Sequence, residues 1–489
     1  MKRRLKIVCS CIMTMCLLVL SLKYLTGLME LKRSDIKYTP FFGQDENFDV
    51  LFMGSSHVIN AVYPMELWND YGIVSYNMGT HSAPLPTTYW VMENALEYTT
   101  PKLVVIDCLS LSSNTKSSDK FSYIHHSLDA FPLSKTKLSA IADLLDDPEM
   151  DKMQREGTAR EIKDRTSIEL LWNYSVYHAR WTELTEDDFA VPYTKEKGAE
   201  SRIAVATPNE ILSVPADNKM EGETVGTEYL RKMIEDCQGR EIEVLLVNLP
   251  FPASKSKHMD ANRVYDIAKE YGVNYINFLD MDIVNYYTDC YDENSHLNPS
   301  GARKVTEYLG QYIVDNYDIS DQRMNPAYND WYEDYTEYMS YKASLLQNQT
   351  KLNTYLMLLA DKSYDAVLEI NNPDIWEKKK YVRLLGNLGV DAGMITENTA
   401  FLVIEAGGKE VNYLNDLRHS DAGISTSIGT FRFVNNAVKS DEYGSQYTMY
   451  LDGKEFYSIT SEQTANPHIR ITVMDKDTKE IIGQADFSL

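Results

Sequence analysis

Asp49-Val50-Leu51-Phe52-Met53-Gly54-Ser55-Ser56-His57-Val58 is a short apolar run that stops on a glycine and two serines. A run without polar alternation suits a strand buried on both faces of a parallel sheet. The glycine permits a tight turn, and a serine beside it can cap the helix that follows. Such a strand, turn and helix start lifts a hydroxyl to the C-terminal edge of a sheet, where backbone N–H groups surround it.

Similar runs recur at Val74–Asn77, Lys102–Asp107, Glu243–Asn248 and Tyr275–Phe278, with helical patterns around Thr87–Thr99, Val225–Cys237 and Ala261–Tyr271. Alternation of this kind predicts an α/β, doubly wound domain over residues 47–318, with a ligand crevice at the C-terminal ends of its strands. An insertion at about 110–240 is charged and helical in pattern, including Leu138–Leu145 and Arg160–Arg180, and suits a lid. Residues 319–362 read as a linker, Ser320–Ala327, followed by one helix, Tyr328–Asp361, with an apolar aromatic face. From 363 to 489 short β-like runs between Gly-Gly, Asp-Gly and Asp-Lys-Asp turns predict a β-rich accessory domain, with one helix near Trp376–Leu388.

The N-terminus is basic over residues 1–6 and apolar over 7–29, interrupted only by Lys23, which gives an uncleaved transmembrane anchor. Four cations before the span place the tail in the cytoplasm and the remaining chain outside the cell membrane. Residues 1–37 hold eight Lys/Arg and two Asp/Glu, leaving 40 against 70, a net of −30, for residues 38–489. An ectodomain that acidic repels phosphates, so nucleic acid is excluded as a partner and a neutral or cationic glycan fits better. Only Cys108, Cys237 and Cys290 lie outside the anchor, too few for a disulfide framework.

Late in the α/β region stands Tyr291-Asp292-Glu293-Asn294-Ser295-His296-Leu297-Asn298-Pro299-Ser300-Gly301-Ala302. Alone, it is a capped loop before a helix, and Gly54-Ser55-Ser56 alone is a helix N-terminus. Together, in this order, they supply a hydroxyl, a base to take its proton and an acid to orient that base. His125-His126 has no carboxylate or Cys partner at metal spacing in the sequence, so no metal is expected, and no cofactor.

These two segments resemble the SGNH/GDSL hydrolases over roughly 270 residues, Phe48–Tyr317. The likeness is strongest to the membrane-anchored branch that includes the D-alanyl-lipoteichoic acid transfer protein and the alginate-type O-acetylation proteins, whose serine turn often reads Gly-Ser-Ser. The resemblance implies a three-layer, flavodoxin-like SGNH domain with Ser56 as nucleophile and His296 as base. It also implies an oxyanion hole from the Ser56 and Gly79 amides. The family's acid lies three residues before the histidine, where this chain has Glu293, while Asp292 lies four before; either completes the triad. The family's third-block asparagine is missing, which implies either a weaker oxyanion hole or the Asn77 side chain as a further donor. His57 shapes the turn or touches substrate, and Arg180 is a candidate contact to an anionic donor group. The implied function is a serine O-acyltransferase or esterase acting on acyl groups, acetyl foremost, of cell-envelope polysaccharide. A transferase would need a multi-pass membrane acyltransferase as partner. The alternative is a non-catalytic glycan-binding or polymer-assembly surface protein with a degenerate SGNH domain. In the C-terminal region, Leu384–Gly389, Thr399–Ile404, Gly407-Gly408-Lys409 and His468–Asp477 through Phe487 resemble the interleukin-like EMT inducer module, which is linked to carbohydrate binding. A plain β-sandwich is the other reading of that region.

Overall fold

The computed structural model describes residues 2–29, 32–44, 46–163, 165–172, 174–189, 195–208, 210–293, 296–395, 400–414, 422–435, 447–459 and 468–488. Asn294, Ser295 and Thr399 of the motifs above lie outside the described residues. The chain divides into two compact units: one holds residues 1–200, 212–281 and 305–331, the other 201–211, 282–304 and 332–489.

The first unit is built on a parallel sheet of β1 (Val50–Met53), β2 (Ser75–Asn77), β3 (Leu103–Asp107), β4 (Glu243–Asn248) and β5 (Asn274–Asn277) in the order 2-1-3-4-5. In β1 Leu51 stands opposite Tyr76 on one side and Val104 on the other, and all four β1 residues are buried. That two-sided burial is why the strands carry continuous apolar runs. Helices Leu85–Ala95, Val225–Gly239 and Lys255–Tyr271 connect them. Caps set the start of the last two: Thr224 forms a capping box with Thr227, and the Ser254 hydroxyl accepts from the Lys257 N–H, so that this helix begins at Lys255, ahead of the Ala261 expected. In this strand order the direction of winding reverses between β1 and β3, where open α/β sheets leave their crevice.

Between β3 and β4 the insertion forms helices Phe121–Leu128, Lys135–Leu145 and Pro148–Glu156. The continuous helix expected over 160–180 does not form. Arg160 is held by Asp119 at 2.6 Å and Arg165 by the Ser117 hydroxyl at 2.9 Å, which keeps that stretch irregular, and Thr166 then caps only the short helix Ser167–Leu171.

At the N-terminus one helix, Lys2–Met29, contains the span Arg4–Met29, whose most apolar 18-residue window has a mean hydropathy of 2.3 and is not buried by the protein. It is long and apolar enough to cross a membrane. A second helix, Lys32–Phe42, joins the body: Phe41 stacks on Phe48 at 5.3 Å, and the Tyr38 hydroxyl is 3.1 Å from the carbonyls of both Met78 and Gly79.

The second unit is rich in antiparallel sheet. Its strands are β6 (Tyr364–Asn371), β7 (Ala400–Glu405), β8 (Glu410–Leu414), β9 (Ala422–Ser425), β10 (Thr430–Asn435), β11 (Tyr447–Leu451), β12 (Lys454–Ile459), β13 (His468–Asp475) and β14 (Ile481–Phe487). They form a five-stranded sheet, 14-13-6-7-8, and a four-stranded sheet, 12-11-10-9. Alternation assigns the faces. Leu368, Ile370, Leu402, Ile469 and Ile471 join Leu356 of helix Leu352–Leu359 and Leu384 of helix Lys379–Asn387 in one core. Val367, Phe401, Val403 and Met474 point the other way and cluster with Phe431 and Met449 of the four-stranded sheet. The single helix expected over 328–361 is two, Asp330–Gln347 and Leu352–Leu359. Asn348-Gln349-Thr350-Lys351 interrupts it, and the Asn348 and Gln349 amides close the first helix onto the Ser344 and Leu346 carbonyls.

Candidate active site

Ser55, not Ser56, does the capping. It is the N-cap of helix Ser56–Ala61, and its hydroxyl accepts from the His57 N–H at 3.4 Å. Ser56 is therefore the first helical residue, partly exposed between two buried neighbours at the C-terminal edge of β1. Gly54 has φ +156°, and a Cβ there would lie 2.6 Å from Val58 Cγ2 and 2.9 Å from Asp107 Cβ. No other residue makes that turn without strain. Gly79 presses on the same turn from the end of β2: a Cβ on it would come within 2.8 Å of the Ser55 carbonyl, and the Thr80 N–H donates to Gly54 O at 3.0 Å.

Four of the residues singled out in the sequence are engaged inside the fold. The Asn77 amide group donates to the carbonyls of Val58 (2.7 Å) and Val62 (2.9 Å), and its oxygen accepts the Gly79 N–H at 3.1 Å. Neither the Asn77 side chain nor the Gly79 amide is presented to an oxyanion. The cause is local: a six-residue helix leaves carbonyls that need donors, and a fully buried asparagine must satisfy all its own polar atoms. Arg180 is spent as well, bonded to the Met29 carbonyl at the end of the N-terminal helix and to Asp188 at 2.8 Å. A cation there meets the negative end of the helix dipole rather than a substrate group. His57 is buried with its ring edge-on to Phe251 at 4.7 Å and packs the turn, as its place in the sequence suggests.

In the second unit, the His296 Nδ1 lies 2.5 Å from Asp292 Oδ2, and the His296 N–H donates to Asp292 Oδ1 at 3.1 Å. One carboxylate thus fixes both the backbone and the ring, whereas Glu293 is exposed. The loop is closed behind the pair. The Tyr291 N–H donates to His296 O at 2.8 Å, and the Asn298 N–H to Asp289 O at 2.9 Å. With Nδ1 on the carboxylate, Nε2 is the ring nitrogen that can accept a proton.

Two groups escaped sequence reasoning. Asp107, at the end of β3 against Gly54, is buried and pushed up to about 7 by desolvation, which the Leu249 amide and Lys257 only partly oppose. Its Oδ1 accepts from Leu249 N–H at 3.3 Å, while Oδ2 has no hydrogen-bond partner. The signal was an acid ending an apolar run. The second is Asp129, whose carboxylate takes His125 Nδ1 at 2.9 Å from the next helical turn. The i,i+4 spacing carried that signal. Burial raises the Asp129 carboxyl and drives the neighbouring His126 down to about 4. Among the described residues no group of three or more His, Cys, Asp or Glu is placed to hold a metal ion. Comparison with protein-family models, with curated proteins and with solved structures gave no match.

Proposed function

We propose that this chain is a membrane-anchored, extracytoplasmic serine O-acyltransferase or esterase of the SGNH type, acting on acyl groups of cell-envelope polysaccharide. In this reading Ser56 attacks the acyl carbonyl, His296 takes the serine proton and returns it to the leaving oxygen, and Asp292 holds the imidazolium. The acyl-enzyme then passes its acyl group to a sugar hydroxyl or to water.

The observation that carries the reading is the Asp292–His296 pair, a carboxylate on Nδ1 from a loop locked by its own backbone bonds. A purely structural histidine needs no such orientation. The Gly54–Ser56 turn at the winding reversal of a parallel sheet adds a hydroxyl where such sheets bind ligands. The test uses the full chain in detergent with p-nitrophenyl acetate and a serine-reactive phosphonate. Wild type should release nitrophenol and take up the phosphonate, and Ser56→Ala should lose both. Equal release by the two proteins, with neither labelled, ends the reading.

One observation favours a second reading, that of a non-catalytic glycan-binding or polymer-assembly protein with a degenerate SGNH domain: the Gly79 amide and the Asn77 side chain are both committed inside the fold. Glycan binding that survives Ser56→Ala and His296→Ala, in a chain inert to the phosphonate, would select it.

A further inference from the structure

The loop that carries His296 does not end in solvent. Directly before it stands Asp289, wholly buried. Its Oδ1 accepts from the Ser300 hydroxyl at 2.8 Å and the Thr288 hydroxyl at 3.1 Å, and its Oδ2 from the Asn285 N–H at 2.9 Å and Lys304 Nζ at 2.7 Å. Its backbone carbonyl takes the Asn298 N–H, one of the two closures of the loop. Gly301 is needed for the same closure, because a Cβ there would lie 2.6 Å from Asp289 O.

The other side of this node comes from far along the chain. Asn387, the last residue of helix Lys379–Asn387, donates to the Ser300 hydroxyl at 2.9 Å and accepts from Lys304 Nζ at 2.6 Å. That helix is seated by Leu384 and Leu385 in the core formed by β6, β7 and β13. Two further clamps tie the region down: Arg383 lies 3.8 Å from the Tyr287 ring, and Arg303 pairs with the buried Asp361 at 3.2 Å. With the Asn387 amide itself 3.5 Å from Oδ1, the buried Asp289 carboxylate has five donors, a rigid support when every donor is in place and a costly one when a donor is lost.

We infer that Asn387 is a positioning residue for the Asp292–His296 pair, acting through Lys304, Ser300 and Asp289, so that the β-rich C-terminal region is a working part of the acid–base loop and no detachable appendage. The inference rests on the proposed function for its kinetic consequence but not for its structural one. Removing the Asn387 amide takes one partner from each of Lys304 and Ser300, which both hold Asp289, and removes its own bond to Asp289 Oδ1. Loss of register at Asp289 is passed to Asn298 and to the strand-like pairing of Cys290 with Leu297, which brackets His296.

The experiment follows the imidazole N–H proton of the full chain in detergent by NMR. A short N–H to carboxylate bond gives a downfield resonance, assigned by its disappearance in His296→Gln. Asn387→Ala and, independently, Lys304→Met should broaden or abolish that resonance. In the ester assay each should lower kcat about tenfold, the scale of a small misplacement of a catalytic group, with KM within about twofold of wild type. Ile471→Ala, a cavity in the same core away from the node, serves as the comparison and should lower thermal stability while leaving the resonance and kcat as they are. An unchanged resonance in Asn387→Ala and Lys304→Met overturns the inference, as does its loss in Ile471→Ala, which would show general loosening. A wild type that turns over no ester refutes the proposed reaction, yet the resonance still decides this inference.

Discussion

Replacing Asp107 with asparagine should flatten the pH dependence of stability in the first unit. The carboxyl has an ordinary value of 3.8 and is pushed to about 7 in the folded chain, with burial as the main cause. A folded-state value above the unfolded one means that the contribution to stability is fully present below about 4 and is lost as pH rises through 7. A rise of that size corresponds to about 4 kcal/mol in full, of which about 3 kcal/mol falls between pH 5 and 8. The asparagine of the variant would not titrate. It also places an amide N–H₂ where Oδ2 now lacks a partner, a change that moves absolute stability without imposing a slope. The assay is urea unfolding of wild type and Asp107→Asn at a series of pH values, followed by tryptophan fluorescence. Five of the six tryptophans, including the buried Trp68 and Trp331, belong to the same unit as Asp107. Taking the difference between the two proteins cancels His126 and every other titrating group. Wild type should lose about 3 kcal/mol relative to the variant from pH 5 to 8. Parallel curves would show that Asp107 is solvated or paired, and the account of its burial would be refuted.

Gly54→Ala should destabilise the first unit by about 2–4 kcal/mol and reduce phosphonate labelling of Ser56, because the new methyl meets Val58 and Asp107 at a φ that suits only glycine; thermal unfolding and labelling rate check it. Asp361→Ala should cost the second unit about 3–5 kcal/mol, since Arg303 and Lys342 both lose the buried carboxylate they pair with. Desolvation would raise the Asp361 carboxyl, but those two cations outweigh it and hold it well below the usual range. Its stabilisation is therefore present above about pH 4 and lost on acidification, which acid unfolding of wild type against the variant measures.

The parallel sheet was legible because its strands are buried on both faces, so Val50–Met53, Leu103–Asp107 and Glu243–Asn248 could be found from apolar runs alone. In the C-terminal region β8, β9, β12 and β14 are more exposed, and Lys, Glu, Gly and Gln interrupt their alternation, so no apolar run marks them. At the site, local chemistry could be read and long-range bonding could not. The Gly54 turn and the Asp292–His296 spacing are each contained within about one turn of chain. By contrast, what Asn77 bonds depends on where a helix 15 or more residues earlier leaves its carbonyls. Arg180 is claimed by a carbonyl 151 positions away. Nothing in Asn387 itself announces that it ends beside Asp289.

The bond from Arg180 to Met29, with Tyr38 and Phe41 sealed into the body beyond, ties the end of the apolar helix to the unit whose sheet carries Ser56. Were that helix seated in lipid, the hydroxyl would work at one fixed height, like a tool bolted to a bench. Polymer strands would have to be brought to it, and lengthening the junction with a few glycines would change which of them it can touch.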